Sequence, residues 1–181
     1  MAHWEPLLEE VVMERHRDLL GYAQMLTRDR FEAEDLVQTA LIETFGKPRA
    51  FPNAIAAETY VRRVIASRFI DARRRASAER RALAKVGATE ADPAAGPHLL
   101  AEHSTDVGAA LEKLTPRERA CVMLRYLDHL STHEAARALG LSDGTVKRYV
   151  SDAVVKLNGL LGTDADAERD EWSDVHEGRS R

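Results

Sequence analysis

The side chains best placed for binding chemistry lie between residues 131 and 157. Ser131 and Ser142 each precede a run of helix-forming residues, and Gly140 stands between the two runs. Serine caps helices, and glycine can adopt the left-handed conformation of a sharp turn, so this spacing predicts a helix-turn-helix. The second helix of such a unit lies in the major groove of duplex DNA, with its early residues facing base edges. Its exposed positions by helical spacing are Asp143, Gly144, Lys147, Arg148, Ser151 and Asp152.

A second cluster of candidate binding residues is a block of arginines between residues 62 and 75. Acids at helical spacing, such as Glu58 before Arg62, could pair with it, but the block contains too few acids to be neutralised. We therefore favour contact with nucleic acid over a solvated face. Tyr60 and Phe69 could stack on an unpaired base or belong to the core, and for Phe69 we favour the core. The arginines are Arg62, Arg63, Arg68, Arg73, Arg74 and Arg75.

The distribution of charge supports two local binding surfaces. The chain of 181 residues has a net charge of -4, yet residues 56–81 hold 8 basic and 3 acidic side chains, and residues 115–161 hold 7 and 5. Because local patches set the attraction to a polyanion, the acidic total does not exclude nucleic acid.

Other chemistry is poorly represented. The single Cys121 excludes a disulfide framework and a multi-cysteine zinc site. His129 and His133 have metal-ligand spacing, but Ser131 predicts a helix start between them, so we expect no metal site. There is no Walker loop and no GxGxxG motif, and we expect neither enzymatic activity nor a cofactor. No apolar run approaches membrane-spanning length, so we expect a cytoplasmic protein without membrane insertion.

The positioning elements are all predicted to be helices. Apolar residues recur at steps of three and four, and the prolines fall at helix starts or in loops. Thr115 with Glu118, and Ser131 with Glu134, have the spacing of capping boxes. The signal fades between about residues 76 and 104, where glycine and proline indicate a linker. The predicted helices cover about residues 5–26, 31–45, 54–75, 106–114, 132–139 and 143–161. A further helix is predicted to begin at residue 116, and the pattern does not fix its end.

Three segments, in this order, resemble parts of bacterial sigma factors. Residues 33–38 (AEDLVQ) resemble the core-binding motif of region 2. Residues 60–75, ending IDARRR, look like the segment that melts and reads the minus-ten DNA. Residues 114–119 (LTPRER) through 144–147 (GTVK) look like region 4. The order, the missing region 3 and the short length are similar to the extracytoplasmic-function (ECF) sigma factors.

This resemblance implies roles for particular residues. Docking on the beta-prime clamp helices of core RNA polymerase is implied for Asp35, Leu36 and Gln38. Contact with the melted minus-ten DNA is implied for Arg62, Arg63, Ser67, Arg68, Asp71, Arg74 and Arg75. Contact with the minus-35 element is implied for Lys147, Arg148 and Ser151. The implied partners are core RNA polymerase, through its beta-prime clamp helices and beta flap, promoter DNA and an anti-sigma factor.

Two positions depart from the family pattern. The family usually has Asn where Ser67 stands, so base reading there is expected to differ. It usually has a basic residue where Asp152 stands; a carboxylate cannot hold a phosphate but could accept a hydrogen bond from cytosine N4.

We therefore predict an all-α protein of two small helical domains. Residues 1–80 form the region 2 bundle, residues 81–105 a flexible linker, residues 106–161 the region 4 helix-turn-helix and residues 162–181 an acidic, disordered tail. A helix-turn-helix regulator of the response-regulator effector type fits residues 114–157 nearly as well. That alternative needs β-strands in the first unit. A pure interaction module is a third interpretation, which the arginine-rich faces disfavour.

Overall fold

The computed structural model describes residues 4–47, 49–85 and 106–163, and every regular element within them is helical. The chain divides into two compact units, residues 1–104 and residues 105–181. The predicted all-α class with two helical domains is thereby confirmed. The predicted flexible linker, from residue 86 to 105, and the predicted disordered tail, from residue 164 to 181, lie outside the described part of the chain.

The described residues of the first unit form four α-helices. Helix α1 spans Trp4–Glu10, α2 spans His16–Thr27, α3 spans Arg30–Phe45 and α4 spans Ala54–Lys85. A π-helical turn, Val11–Arg15, joins α1 to α2 without an interruption. The single helix predicted for residues 5–26 is therefore present, with one locally widened turn.

Local side-chain chemistry fixes the ends of these helices. Arg28 ends α2 in the left-handed conformation, with φ of 65°. The carboxylate of Asp29 then accepts a hydrogen bond from the backbone N–H of Glu32 at 2.8 Å and caps α3. The side chain of Asn53 accepts from the N–H of Ala56 at 2.9 Å, which caps the first turn of α4.

Helices α2, α3 and α4 pack against one another, and α1 packs on α4. Their apolar faces form a core that is mainly aliphatic, because removing such surfaces from water is the dominant favourable term in folding. The largest fully buried side chains in this core are Tyr22, Phe69, Leu19, Leu26, Ile65, Val11, Val37 and Val61.

Helix α4 is longer than the sequence pattern predicts. It continues through Lys85, so residues 81–85, which we assigned to the linker, are helical. The apolar periodicity disappears after Ile70, and among the described residues the end of α4 is open to solvent: residues 74–76 and 78–83 are exposed. The loss of the amphipathic pattern therefore marks where α4 leaves the core, whereas the helix itself continues to Lys85.

Residues 106–163 of the second unit form four further α-helices. Helix α5 spans Asp106–Glu112, α6 spans Pro116–Val122, α7 spans Thr132–Leu139 and α8 spans Asp143–Leu161. A π-helical turn, Met123–Leu127, continues α6. Both predicted capping boxes are formed, with Thr115 and Glu118 at α6 and with Ser131 and Glu134 at α7.

Two buried charged side chains join the helices of this unit. Arg119 donates hydrogen bonds to the backbone carbonyls of Leu111 and Leu114, at 2.9 and 3.2 Å, and so ties α6 to α5. Glu118 accepts hydrogen bonds from Nζ of Lys156 on α8 at 2.7 and 2.9 Å. Buried charges are tolerated when they are paired and hydrogen-bonded in this way. The first contact fixes α6 against α5, and the second fixes α8 against α6.

Candidate nucleic-acid and polymerase interface

The turn between α7 and α8 has the geometry expected of a helix-turn-helix. Gly140 adopts φ of 62°, and its N–H caps the end of α7 by donating to the carbonyls of Ala136 and Arg137. Ser142 accepts a hydrogen bond from the N–H of Thr145 at 3.2 Å and starts α8. Ala135 and Ala136 are buried, so α7 can approach α8 closely. This turn, predicted from sequence, fixes the direction of α8.

Helix α8 presents one buried and one exposed face. Val146, Val150, Ala153 and Val154 are buried against the unit. The predicted minus-35 residues Lys147, Arg148 and Ser151 lie on the exposed face, together with Asp143, Gly144 and Asp152. The structure therefore brings all three predicted minus-35 residues to one accessible surface, the α8 face.

The side chains beside the α8 face are ordered by local contacts. The guanidinium of Arg148 lies over the ring of Tyr149, 5.3 Å from its centre. The Tyr149 hydroxyl accepts a hydrogen bond from Arg117 of α6 at 3.1 Å. Arg117 therefore lies close to the α8 face, a placement that sequence analysis missed because it depends on how α6 crosses α8.

On α4, the predicted minus-ten residue Arg68 is held by acids. It donates two hydrogen bonds to Glu43 of α3 and lies 3.5 Å from Asp71. The hydrogen bonds to Glu43 raise the pKa of the Arg68 guanidinium above its ordinary value, and they outweigh the opposing effect of burial. Asp71 also lies 4.0 Å from Arg74. Glu43, Arg68, Asp71 and Arg74 therefore form a continuous charged network.

Two other arginines of the block have structural contacts. Arg62 donates to Glu58 at 2.5 Å, and its guanidinium lies 5.4 Å from the ring centre of Tyr22. Arg73 donates to Glu32 of α3 at 2.6 Å. The expectation that the block lacks acids to neutralise it was wrong, because Glu32 and Glu43 come from another helix. Arg62 in particular faces α2 and is not brought to the exposed side of α4.

The exposed part of the predicted minus-ten surface is the end of the block. Arg74 and Arg75 are exposed, and Arg75 makes no ion pair or side-chain hydrogen bond with any described residue. Arg63 and Ser67 are half-buried and lie on the same side of α4 as Arg74, at steps of four and seven residues. Arg81 is seven residues after Arg74 on the helical extension and enlarges this basic surface.

A group of rings lies next to the start of α4. The ring of Phe51, in the α3–α4 loop, lies 5.6 Å from that of Tyr60, and Arg49 covers the Tyr60 ring at 4.0 Å. Tyr60 is half-buried, whereas Phe69 is buried in the core, as favoured from sequence. Arg49 and Phe51 were not predicted as site residues, because their only signal in the sequence is a basic and an aromatic residue in a short loop.

The predicted polymerase-binding residues on α3 divide into two groups. Asp35 and Gln38 are exposed and have no ion pair or side-chain hydrogen bond within the described residues. Leu36 is only 6% exposed and lies in the core. The expectation that Leu36 offers a docking side chain therefore disagrees with its position, because its place on α3 points it inward. Phe31 and Ile42, 76% and 71% exposed, extend the row of Asp35 and Gln38 at helical spacing.

An apolar groove adjoins this row. It has a volume of about 450 Å³ and is lined by Leu8 and Val12 of the N-terminal helices and by Gln38, Leu41, Ile42 and Phe45 of α3, with Gly46. We call Asp35, Gln38, Ile42 and this groove the α3 surface. Its apolar part was not predicted from the sequence, since Leu41 and Phe45 have the periodicity of core residues.

Cys121, His129 and His133 could suggest catalysis or metal binding, but their surroundings favour a structural role. Cys121 is buried, and burial raises the pKa of its thiol to about 12. His133 lies in the first turn of α7 and contacts Asp143 at 3.3 Å, while His129 lies before that helix with φ of 51°. No group of three or more metal-ligating side chains occurs in residues 4–47, 49–85 or 106–163. None of the described helices is long and apolar enough to cross a membrane.

Family models match both units. The model of Sigma-70 region 2 matches residues 11–79, and that of Sigma-70, region 4 matches residues 104–157. The RNA polymerase sigma-E factor of Streptomyces avermitilis is 35% identical over 162 residues, covering 89% of both chains. The chain belongs to the ECF sigma factors of the sigma-70 family.

Two further comparisons agree with this assignment. This sigma factor is similar to the ECF RNA polymerase sigma factor SigL of Mycobacterium tuberculosis, with 32% identity over 170 residues, covering 87% of this chain and 90% of SigL. A solved complex of the sigma factor RpoE with the anti-sigma factor NepR, from Bartonella quintana, has a TM-score of 0.58 and 25% identity; the match covers 87% of this chain and 97% of that one. Sigma factors are transcription initiation factors and not enzymes.

A response-regulator-type arrangement has no support, because residues 11–79 match region 2 and the described residues before 75 contain no strand.

Proposed function

We propose that this sigma factor binds core RNA polymerase, directs it to specific promoters and opens the minus-ten DNA. The observation that carries the proposal is the order of two matched units, region 2 followed by region 4, each with an exposed candidate binding face. The mechanism is recognition and strand opening without covalent chemistry. Unpairing costs a few kcal/mol per base, which stacking and contacts between arginines and phosphates would offset.

The α3 surface is the proposed docking site for the beta-prime clamp helices. Asp35 and Gln38 are exposed polar side chains without an ion pair or side-chain hydrogen bond among the described residues, and Ile42 and the groove supply apolar area. An interface with an apolar centre and a polar rim has the usual composition of a protein–protein contact. Leu36 would act indirectly, by anchoring α3 in the core, and we no longer propose a direct contact through it.

The exposed side of α4 is the proposed minus-ten surface. Arg74, Arg75 and Arg63 supply positive charge, and Ser67 lies among them as a small polar group that could face a base. Arg68 and Asp71 would shape this surface through their network with Glu43. Arg62 would support α4 through Glu58 and would not contact DNA.

The α8 face is the proposed minus-35 surface. Lys147 and Arg148 can donate to guanine N7 and O6, and Ser151 can bind either bases or phosphate. We also propose contact of region 4 with the beta flap and control by an anti-sigma factor, since the similar RpoE is bound to NepR. Because its target is RNA polymerase, we expect the protein in the cytoplasm.

The proposed domain boundaries follow these surfaces. Region 2 would occupy residues 1–80, with its last helix extending to Lys85, and region 4 would occupy residues 106–161. The linker would then be residues 86–105, shorter than the sequence predicted.

Transcription with purified components tests the function directly. Core RNA polymerase from the native cell is incubated with genomic fragments, with and without the full-length protein. Promoter-dependent transcripts that need the protein are expected. If the core enzyme with the protein remains silent on every fragment while the protein alone shifts duplex DNA, it is a regulator and not a sigma subunit.

A matched pair of substitutions tests the α3 surface. Ile42→Glu places a charge beside the groove and is expected to reduce capture of core polymerase at least tenfold. Ile55→Glu makes the same change at a position that is 62% exposed on α4, outside the α3 surface, and is expected to bind normally. Equal binding by both variants would exclude the α3 surface as the docking site.

A further inference from the structure

Asp152 has an unusual environment on the α8 face. It lies one helical turn after Arg148, on the same exposed side as Lys147 and Ser151. The opposite side of α8 packs in the core through Val150 and Val154. The carboxylate of Asp152 therefore lies on the same surface as the other candidate base-reading side chains.

The two natural partners of this carboxylate are bound elsewhere. Lys156 follows Asp152 by four residues, the favourable order for an ion pair in a helix. Its Nζ instead contacts both oxygens of the buried Glu118, at 2.7 and 2.9 Å. Arg148 precedes Asp152 by four residues, and its guanidinium lies over the ring of Tyr149. Among the described residues, Asp152 makes no ion pair or side-chain hydrogen bond.

An unpaired carboxylate facing DNA is unfavourable unless a donor meets it. In the major groove, guanine offers the acceptors N7 and O6, and thymine offers the acceptor O4 with a methyl group. Adenine offers the N6 donor beside the N7 acceptor, which would repel one carboxylate oxygen. Cytosine offers the N4 donor without a neighbouring acceptor, so it is the base that a carboxylate selects.

We propose that Asp152 is a specificity-determining residue that reads a cytosine in the minus-35 element. This inference rests on the proposed function and names one base that the α8 face recognises. The carboxylate of Asp152 stays available because Lys156 binds Glu118 instead, so a structural ion pair between α6 and α8 contributes to specificity at the surface.

Selection from a promoter library provides the test. Holoenzyme is assembled from the full-length protein and native core polymerase, and it transcribes a library with a randomised minus-35 segment and a fixed minus-ten segment. The wild-type protein is expected to enrich cytosine at one position. Asp152→Asn is expected to lower that preference about tenfold and to shift it towards adenine, because an amide pairs with adenine N6 and N7.

Controls separate this inference from the proposed function. Asp18→Asn makes the same change of charge at an exposed position of the first unit and is expected to keep the cytosine preference. Melting curves confirm that both variants fold. An unchanged preference in Asp152→Asn overturns the inference, and so does equally increased affinity for all sequences, which would place the carboxylate beside phosphates. In both cases transcription continues, whereas a silent wild-type holoenzyme would overturn the proposed function as well.

Discussion

Arg68 of α4 donates two hydrogen bonds to one carboxylate oxygen of Glu43 on α3, from Nε at 2.9 Å and from Nη2 at 2.7 Å. The two residues are 25 positions apart in sequence, and the contact joins the helix with the candidate polymerase surface to the helix with the candidate minus-ten surface. A basic side chain in an arginine-rich block is therefore part of the fold.

Arg68 and Arg75 are expected to respond differently to substitution. Arg68→Ala should lower the free energy of unfolding by about 1 kcal/mol, because the ion pair is partly exposed. Arg75→Ala should leave stability unchanged, since it has no partner among the described residues, and should weaken promoter binding. Urea unfolding followed by circular dichroism measures the first effect. Equal destabilisation by both changes would contradict the division of the block.

Charge reversal at Arg74 and Arg75 is expected to impair strand opening more than polymerase binding. Both side chains are exposed on α4, whereas the proposed polymerase-binding residues Asp35 and Gln38 lie on α3. Permanganate reactivity of unpaired thymines measures opening, and co-purification with core polymerase measures binding. An equal loss of both activities would contradict the proposed role of this surface.

The buried Glu118 is expected to make stability depend on pH. Burial alone would raise the pKa of its carboxyl, but hydrogen bonds from Lys156 and Thr115 outweigh it and hold the pKa below its ordinary value of 4.5. A carboxyl with a lowered pKa in the folded state stabilises above the unfolded pKa, and this contribution disappears as pH falls through the folded pKa.

Glu118→Gln should therefore cost about 1.5–3 kcal/mol at neutral pH, the usual value of hydrogen bonds to charged groups. The difference from wild type should shrink as pH falls below 4.5. Urea unfolding across the pH series measures it, and Glu112→Gln at an exposed position of α5 is the control. A difference that is independent of pH would show that the carboxylate is not stabilised in its charged form.

Gly140 is expected to be sensitive to a side chain through backbone conformation alone. A Cβ at this position would meet nothing within 4 Å, so the space is available, but φ is 62°. Gly140→Ala should cost about 1–2 kcal/mol of unfolding free energy, and Gly140→Asn less, because Asn tolerates the left-handed region. Thermal unfolding compares the two variants. Equal costs would mean that the turn does not need this conformation.

Cys121 is expected to resist thiol reagents in the folded protein. Burial raises the pKa of the thiol to about 12, so little thiolate forms at pH 8, and the side chain is inaccessible. The chain has one cysteine, so the readout with Ellman's reagent is unambiguous. Slow labelling is expected in buffer and rapid labelling in urea. Rapid labelling of the folded protein would contradict the burial.

The sequence by itself determined the elements and their local signals. Capping residues act within three positions of their partners, so Thr115 with Glu118 and Ser131 with Glu134 could be paired correctly from spacing alone. Apolar periodicity located most helices for the same reason. The order of three motifs was sufficient to indicate the family, and with it the two-unit, all-helical class.

Only the tertiary structure decided which side chains are available for binding. Exposure and ion pairing depend on residues brought from other helices, as Glu32 and Glu43 are brought to Arg73 and Arg68. No local pattern reports such long-range partners. Leu36 and Ile42 are both apolar residues of α3, yet Leu36 is buried and Ile42 is exposed. The difference depends on which side of α3 the neighbouring helices pack against, and the sequence of α3 does not report that. Sequence spacing fixes local hydrogen bonds, whereas three-dimensional packing assigns each charge to the core or to the surface.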